Sequence, residues 1–230
     1  LPIYFAADLL SVKRKRHKIM LKAALFDLDG VVFDTEPQYT VFWGGECRRY
    51  HPEQPGLEFR MKGQTLPQIL SGYFSEFQSE HEALVGRLDA YERQMTYEYV
   101  PGFVTFIQDL RAHGVCTALV TSSNQVKMNN VYHSHPEFAG FFDAILTSED
   151  FQESKPSPDC YLKAARRLEK AVAECVVFED SFNGLRSGKT AHMLVVGLST
   201  SNPEEAISPL CDRVIPDFTH FDFEQLSSMF

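Results

Sequence analysis

Lys22-Ala23-Ala24-Leu25-Phe26-Asp27-Leu28-Asp29-Gly30 is a short apolar run that stops at two acids and a glycine. Such a run predicts a buried strand that finishes at a loop. The pattern recurs downstream. Val115–Val120 ends at Thr121-Ser122-Ser123, Ala144–Thr147 is a shorter candidate, and Cys175–Phe178 ends at Glu179-Asp180. Met193–Val196 ends at Gly197, and Arg213–Ile215 is a weak last strand. Helical stretches lie between. Residues 102–113 carry apolar side chains at 103, 106, 107 and 110, with Gly114 as the stop. Residues 158–168 put Tyr161, Leu162, Ala165 and Leu168 on one face, with Pro158 in the first turn. A third helix is expected over 182–192. Strands alternating with helices predict an α/β fold, a parallel sheet covered on both faces.

Residues 35–98 break this rhythm. They hold no convincing buried strand, and helix-like pieces fall near 37–50, 66–78 and 80–98. They read as a helical insertion after the first strand, with Pro101-Gly102 marking the return. The expected division is therefore a leader over 1–20, a core over 21–34 and 99–230, and the insertion over 35–98. The leader carries five basic residues (Lys13, Arg14, Lys15, Arg16, Lys18) against Asp8. It reads as a solvated segment outside the fold, and Met20 is a plausible natural start.

The 230 residues carry a net charge of −9, and from residue 21 onward the balance is −13. So acidic a body is a poor general polyanion binder, which argues against nucleic acid as partner. No run of 18 apolar residues suggests a membrane span. The five cysteines form no Cys-x-x-Cys pair, so neither a disulfide framework nor a zinc knuckle is indicated, and a reducing cytoplasm fits. A monomer or weak homodimer is expected.

Ligands of open α/β sheets bind at the carboxyl ends of the strands. Collected there are Asp27 and Asp29, then Thr121, Ser122 and Ser123, then Lys155, then Glu179 and Asp180. Each group alone reads as a turn or a helix N-cap. Four segments delivering polar groups to one rim are hard to explain by packing, and their chemistry suits phosphoryl transfer. Asp27 is a carboxylate nucleophile, expected to be ionised at neutral pH without a base. Asp29, two residues on, is placed to act as general acid, then as base. Asp27, Glu179 and Asp180 would repel one another unless a hard cation such as Mg²⁺ sat among them. Lys155, the Thr121 hydroxyl and the amides that follow it can oppose phosphoryl oxygens.

These residues resemble the haloacid dehalogenase superfamily of phosphohydrolases, in its β-phosphoglucomutase-like branch. Asp27-Leu28-Asp29-Gly30-Val31-Val32-Phe33-Asp34-Thr35-Glu36-Pro37 is similar to the family's first motif, and Thr121 to its second. Lys155-Pro156-Ser157-Pro158-Asp159 resembles the third, and Glu179-Asp180-Ser181-Phe182-Asn183-Gly184 the fourth. The resemblance covers residues 22–215. It implies a Rossmann-like core with an inserted α-helical cap domain, and that architecture predicts opening and closing about linkers near 33–36 and 97–101. It also implies Mg²⁺ held by Asp27, the main-chain carbonyl of Asp29 and Asp180, with Glu179 beside it. The expected function is a phosphatase acting on a small phosphorylated metabolite through an aspartyl-phosphate. Asp29 disfavours dehalogenation, since the family's dehalogenases lack that second acid.

Two departures bear on substrate. The cap loop reads Lys62-Gly63-Gln64-Thr65-Leu66-Pro67, with Leu66 where β-phosphoglucomutase has an arginine for a second phosphate. Tyr39 stands where that mutase has a cap histidine that suppresses hydrolysis. A sugar-phosphate mutase is thus the second reading and a non-catalytic binding module the third. Lys62, Gly63, Gln64, Ser122 and Ser123 are the candidate substrate contacts. His192 replaces a usual glycine and reads as structural, while His133 and His135 read as surface residues.

Overall fold

The computed structural model describes residues 20–230. The leader expected over 1–20 therefore lies outside the described residues, apart from an exposed Met20. Six strands form one sheet: β1 (Ala23–Phe26), β2 (Cys116–Val120), β3 (Ala144–Leu146), β4 (Cys175–Glu179), β5 (Leu194–Leu198) and β6 (Arg213–Ile215). Their order is β3-β2-β1-β4-β5-β6, and every pairing is parallel. The chain thus starts mid-sheet, winds outward to β3, and returns to place β4 on the other side of β1. The crevice between β1 and β4 is the topological switch point.

Both faces of the central strands are covered. Ala24 and Phe26 of β1 join Val176 and Phe178 of β4 in one apolar layer. Ala23, Leu25, Cys175 and Val177 point into the other. The first layer is closed by α4 (Phe103–Ala112), α5 (Gln125–Ser134) and α9 (Phe223–Ser227), and the second by α6 (Asp159–Arg167) and α7 (Phe182–Thr190). Phe26 stacks on Phe178 at 4.7 Å between ring centres, which locks the two strands that carry Asp27 and Asp180. A short α8 (Glu204–Ile207) follows β5. The five cysteines are free, and among the described residues no helix is long and apolar enough to cross a membrane.

The helical insertion has an apolar cluster of its own. α1 (Glu36–Tyr50), α2 (Leu66–Tyr73) and α3 (His81–Glu92) gather Phe42, Trp43, Cys47, Ile69, Phe74, Leu84 and Leu88 around one centre. Two of its helices end earlier than their sequence period suggests. α2 stops at Tyr73 because histidine rings lie against its last carbonyls, His51 Nε2 at 2.6 Å from Tyr73 O and His81 Nε2 at 2.9 Å from Phe74 O. α3 stops at Glu92 because Gln38 clasps the Thr96 backbone at both its N–H and its C=O. The linkers then run side by side, with Asp34 N donating to Glu98 O and Val100 N to Val32 O, each at 2.9 Å.

His192 adopts φ +58°, the left-handed region where glycine is easiest. His133 is exposed, as expected. His135 is not a plain surface residue. It is half-buried, its Nε2 lies 2.7 Å from Tyr97 O, and its ring packs against the stacked Phe33 and Tyr99 of the two linkers.

Candidate active site

The sheet ladder itself sets the site. Asp27 N donates to Phe178 O at 3.1 Å and Thr121 N to Leu146 O at 3.0 Å, so both residues leave their strands at one rim. The capping duty that competed for these residues falls to their neighbours. Asn124 Oδ1 caps α5 by accepting from Lys127 N, and Ser181 Oγ caps α7 by accepting from Gly184 N. Thr121, Glu179 and Asp180 are therefore free for other work.

Lys155 ties the rim together. Its ammonium is buried and donates to Asp27 Oδ1 and Glu179 Oε1, both at 2.6 Å, and to Val120 O at 3.2 Å. Glu179 is saturated. Its Oε1 also accepts from Tyr161 Oη at 2.8 Å, and its Oε2 accepts from Asp180 N, Ser181 N and Ser181 Oγ. A Cβ at Gly184 would fall on that carboxylate, so the close packing of α7 against Glu179 requires glycine there. Asp180 accepts from Ser201 Oγ through its side chain and from Asn202 Nδ2 through its carbonyl.

Ligand oxygens of Asp27, Glu179 and Asp180 lie within 4.8 Å of one another, all buried. Burial pushes Asp27 up to about 7, with Lys155 opposing the rise and Glu179 and Asp29 adding to it. Burial likewise pushes Asp180 well up, reinforced by Glu36, Glu179 and Asp27. Burial opposes the charge on Lys155, but Asp27 and Glu179 outweigh it and raise the lysine, so it stays an ammonium. Without a metal, burial therefore works against the expected ionisation of Asp27 at neutral pH. In a low-dielectric site a third carboxylate costs too much when one lysine is the compensating charge. An all-oxygen donor set with surplus negative charge fits a hard divalent cation. Asp27 and Asp180 have oxygen atoms to offer it, whereas the Glu179 oxygens are already engaged.

Asp29 lies apart from that cluster. Its carboxylate accepts from Thr35 Oγ1, from Ser123 Oγ at 3.2 Å, and from Lys127 Nζ, which sits 2.5 Å from each oxygen. Thr121 Oγ1 accepts from Ser123 N. From the insertion, Lys62 pairs with Glu36 at 2.9 Å. Gly63, at φ +73°, presents its carbonyl to Ser122 Oγ and lies against Ser181, where a Cβ would collide. The Gln64 amide turns to Arg60 O and the Tyr73 hydroxyl and does not reach Asp27. Core and insertion enclose a cavity of about 1090 Å³ lined by Asp27, Asp29, Tyr39, Trp43, Lys62 and Thr121, among others.

Sequence reasoning missed four residues placed here: Lys127, Glu36, Ser201 and Asn202. The Thr200-Ser201-Asn202 run follows a strand just as Thr121-Ser122-Ser123 does, so the strand-end rule contained that signal. Glu36 was hidden inside the first motif. Lys127 sits in a helix that the sequence pattern did not reveal.

A parallel α/β sheet with carboxylates and a buried lysine at its switch point defines a Rossmann-like hydrolytic enzyme. A family model for haloacid dehalogenase-like hydrolases matches residues 21–192, and the chain belongs to that family. It is 30% identical to hexitol phosphatase A of Escherichia coli, over 79% of this chain and 86% of that protein. It is 29% identical to the bifunctional riboflavin kinase/FMN phosphatase of Arabidopsis thaliana, over 86% of this chain and 54% of that longer protein. It therefore spans about half of the plant relative. Its fold matches the crystal structure of β-phosphoglucomutase from Clostridium difficile with a TM-score of 0.74 at 20% identity, covering 91% of this chain and 96% of that one.

Proposed function

We propose that the protein is a Mg²⁺-dependent phosphatase of small phosphorylated metabolites, working through an aspartyl-phosphate at Asp27. One observation carries the reading: buried Lys155 bonded to both Asp27 and Glu179 at 2.6 Å, with Asp180 alongside. In this reading Asp27 attacks phosphorus while Asp29 gives a proton to the departing oxygen, whose bond to phosphorus breaks. Asp29 then takes a proton from the water that attacks the phosphoryl group, and inorganic phosphate leaves. Lys155 holds Asp27 in line, and Glu179 holds Lys155. Thr121 and Ser122 flank the phosphoryl oxygens. Mg²⁺, held by Asp27, Asp180 and the Asp29 carbonyl, supplies positive charge against those oxygens. Residues 35–98 act as a cap that closes about the paired linkers and excludes water.

The cavity also bears on the substrate. Lys62 and Lys127 are the lysines that line it, and each is already paired, with Glu36 and with Asp29. Among the described residues a second phosphate would find no free cation there, and the resemblance puts Leu66 at the position of the mutase arginine. We therefore favour a monophosphate whose organic part is uncharged, such as a phosphorylated sugar or polyol. The phosphatase names of the Escherichia coli and Arabidopsis thaliana relatives support this over the mutase reading. The lack of any cysteine pairing pattern supports a reducing compartment such as the cytoplasm.

The test is phosphate release across a panel of sugar and polyol monophosphates, with β-glucose 1-phosphate included, for wild type and Asp27→Asn. Turnover by wild type and its loss in the folded variant is the expected result. Near-native release by Asp27→Asn refutes the nucleophile assignment. Conversion of β-glucose 1-phosphate to the 6-phosphate would favour the mutase.

A further inference from the structure

Lys127 belongs to α5 of the core and lies in none of the four motifs, yet its side chain reaches the site. It is 2% exposed. A lysine buried this completely needs compensation for its charge. Its ammonium contacts both Asp29 oxygens at 2.5 Å and lies 4.5 Å from the centre of the Tyr39 ring, on the face where a cation is attracted. Tyr39 belongs to α1 of the insertion and donates its hydroxyl to Glu92 Oε1 at 2.7 Å. Lys127 thus sits between the core acid and an aromatic wall of the insertion.

Its surroundings explain why Asp29 needs such a partner. Asp27, Glu36 and Glu92 all feel the Asp29 charge as repulsion. Left alone among them, the Asp29 carboxyl would gain by rotating toward solvent, away from the leaving oxygen. Thr35 and Ser123 contribute neutral hydrogen bonds, which direct the carboxyl without neutralising it. Lys127 is the cation in contact with it.

We propose that Lys127 is a positioning residue that holds Asp29, the proton donor of the phosphatase reading, in line with the leaving oxygen and docks it against Tyr39 of the insertion. The inference rests on that reading. Asp29, paired as a carboxylate with Lys127, takes up a proton from solvent before it acts as donor; that proton passes to the leaving oxygen, which keeps the electron pair of the broken P–O bond. In the first step a misplaced Asp29 hurts only esters whose leaving group needs the proton, because an activated aryl oxide departs without one; in the second step it slows the attack of water for every ester. General-acid catalysis of this kind contributes about 10²–10⁴-fold.

The experiment compares wild type, Lys127→Met and Lys127→Ala on an alkyl phosphate and on 2,4-dinitrophenyl phosphate, with thermal unfolding of each protein. The positioning role predicts that single-turnover release of the leaving group from the alkyl ester slows by about 10²-fold or more, while the burst of 2,4-dinitrophenolate from the aryl ester slows by less than about threefold. Added propylamine should restore part of the alkyl activity of Lys127→Ala. An equal slowing of leaving-group release from both esters marks a merely structural lysine and overturns the proposal, as does no slowing of either. A variant that does not fold, with no rescue by the amine in Lys127→Ala, counts with the structural outcome. Wild type that hydrolyses neither ester overturns the phosphatase reading, and the positioning role with it.

Discussion

Stripping divalent metal from the protein should make its stability fall as pH rises. Asp27 is the clearest case. Burial moves it from the ordinary aspartate value of 3.8 to about 7. The folded state therefore binds a proton that the unfolded chain has released, and between those values unfolding free energy decreases with pH. The gap is about three pH units, at about 1.4 kcal/mol each, or ~4 kcal/mol for this group as an upper figure. Asp180 and Glu36, both raised by burial, act in the same direction. Lys155 is raised and stays charged across the window, so it adds no slope of its own. Metal reverses the trend, because it binds the deprotonated carboxylates and competes with their protons. Stabilisation by excess Mg²⁺ should thus be small near about pH 5 and large near about pH 8. Urea unfolding at a series of pH values, in EDTA and in MgCl₂, measures both. The Asp27→Asn variant should show a shallower metal-free slope by the Asp27 share. A metal-free stability that is flat or rises over this window, or a Mg²⁺ effect equal at both ends, refutes the reasoning.

Two further outcomes follow from the same geometry. Asp29→Asn keeps the shape of the carboxyl but cannot transfer the proton, so kcat on an alkyl phosphate should drop about 10²–10⁴-fold in steady-state assays, with the fold retained by circular dichroism. Gly184→Ala puts a methyl on the Glu179 carboxylate, which must shift and so loosen its hold on Lys155. Overpacking of this kind costs about 1–3 kcal/mol, readable as a lowered melting temperature, and kcat should fall with it.

The sheet was legible because both of its faces are buried. Ala23 to Phe26 and Cys175 to Glu179 are buried throughout, so they read as apolar runs without alternation, and the polar residues that end them mark the rim. α5 was not legible for the opposite reason. Its buried residues are Lys127, Met128 and Val131, while Val126 is exposed, so its sequence shows no apolar stripe. The lysine on the buried face is there for Asp29, ninety-eight residues earlier in the chain, and local periodicity carries no trace of such a partner. The ends of α2 and α3 were hidden likewise, since His51 and Gln38 set them from other segments. Within the motifs, residue type marked Glu179 as an acid near the metal. Only the geometry shows its oxygens filled by Lys155, Tyr161, Ser181 and two backbone amides.

That distribution of partners gives the site an order. Asp29 is balanced by Lys127 and Glu36 by Lys62. The cluster of Asp27, Glu179 and Asp180 has Lys155 as its cation, which leaves two negative charges when all three acids are ionised. A phosphate monoester arrives with nearly two more. In a buried site such like charges repel strongly, so the ester and the ionised nucleophile are mutually exclusive until a divalent cation is present. Protonating Asp27 would relieve the repulsion, but a protonated carboxyl is no nucleophile. On the proposed reading, the same excess charge that raises Asp27 would make a divalent cation a precondition for both substrate approach and attack. Evening out the charge with a second buried lysine would favour the empty state and leave the cation nothing to neutralise.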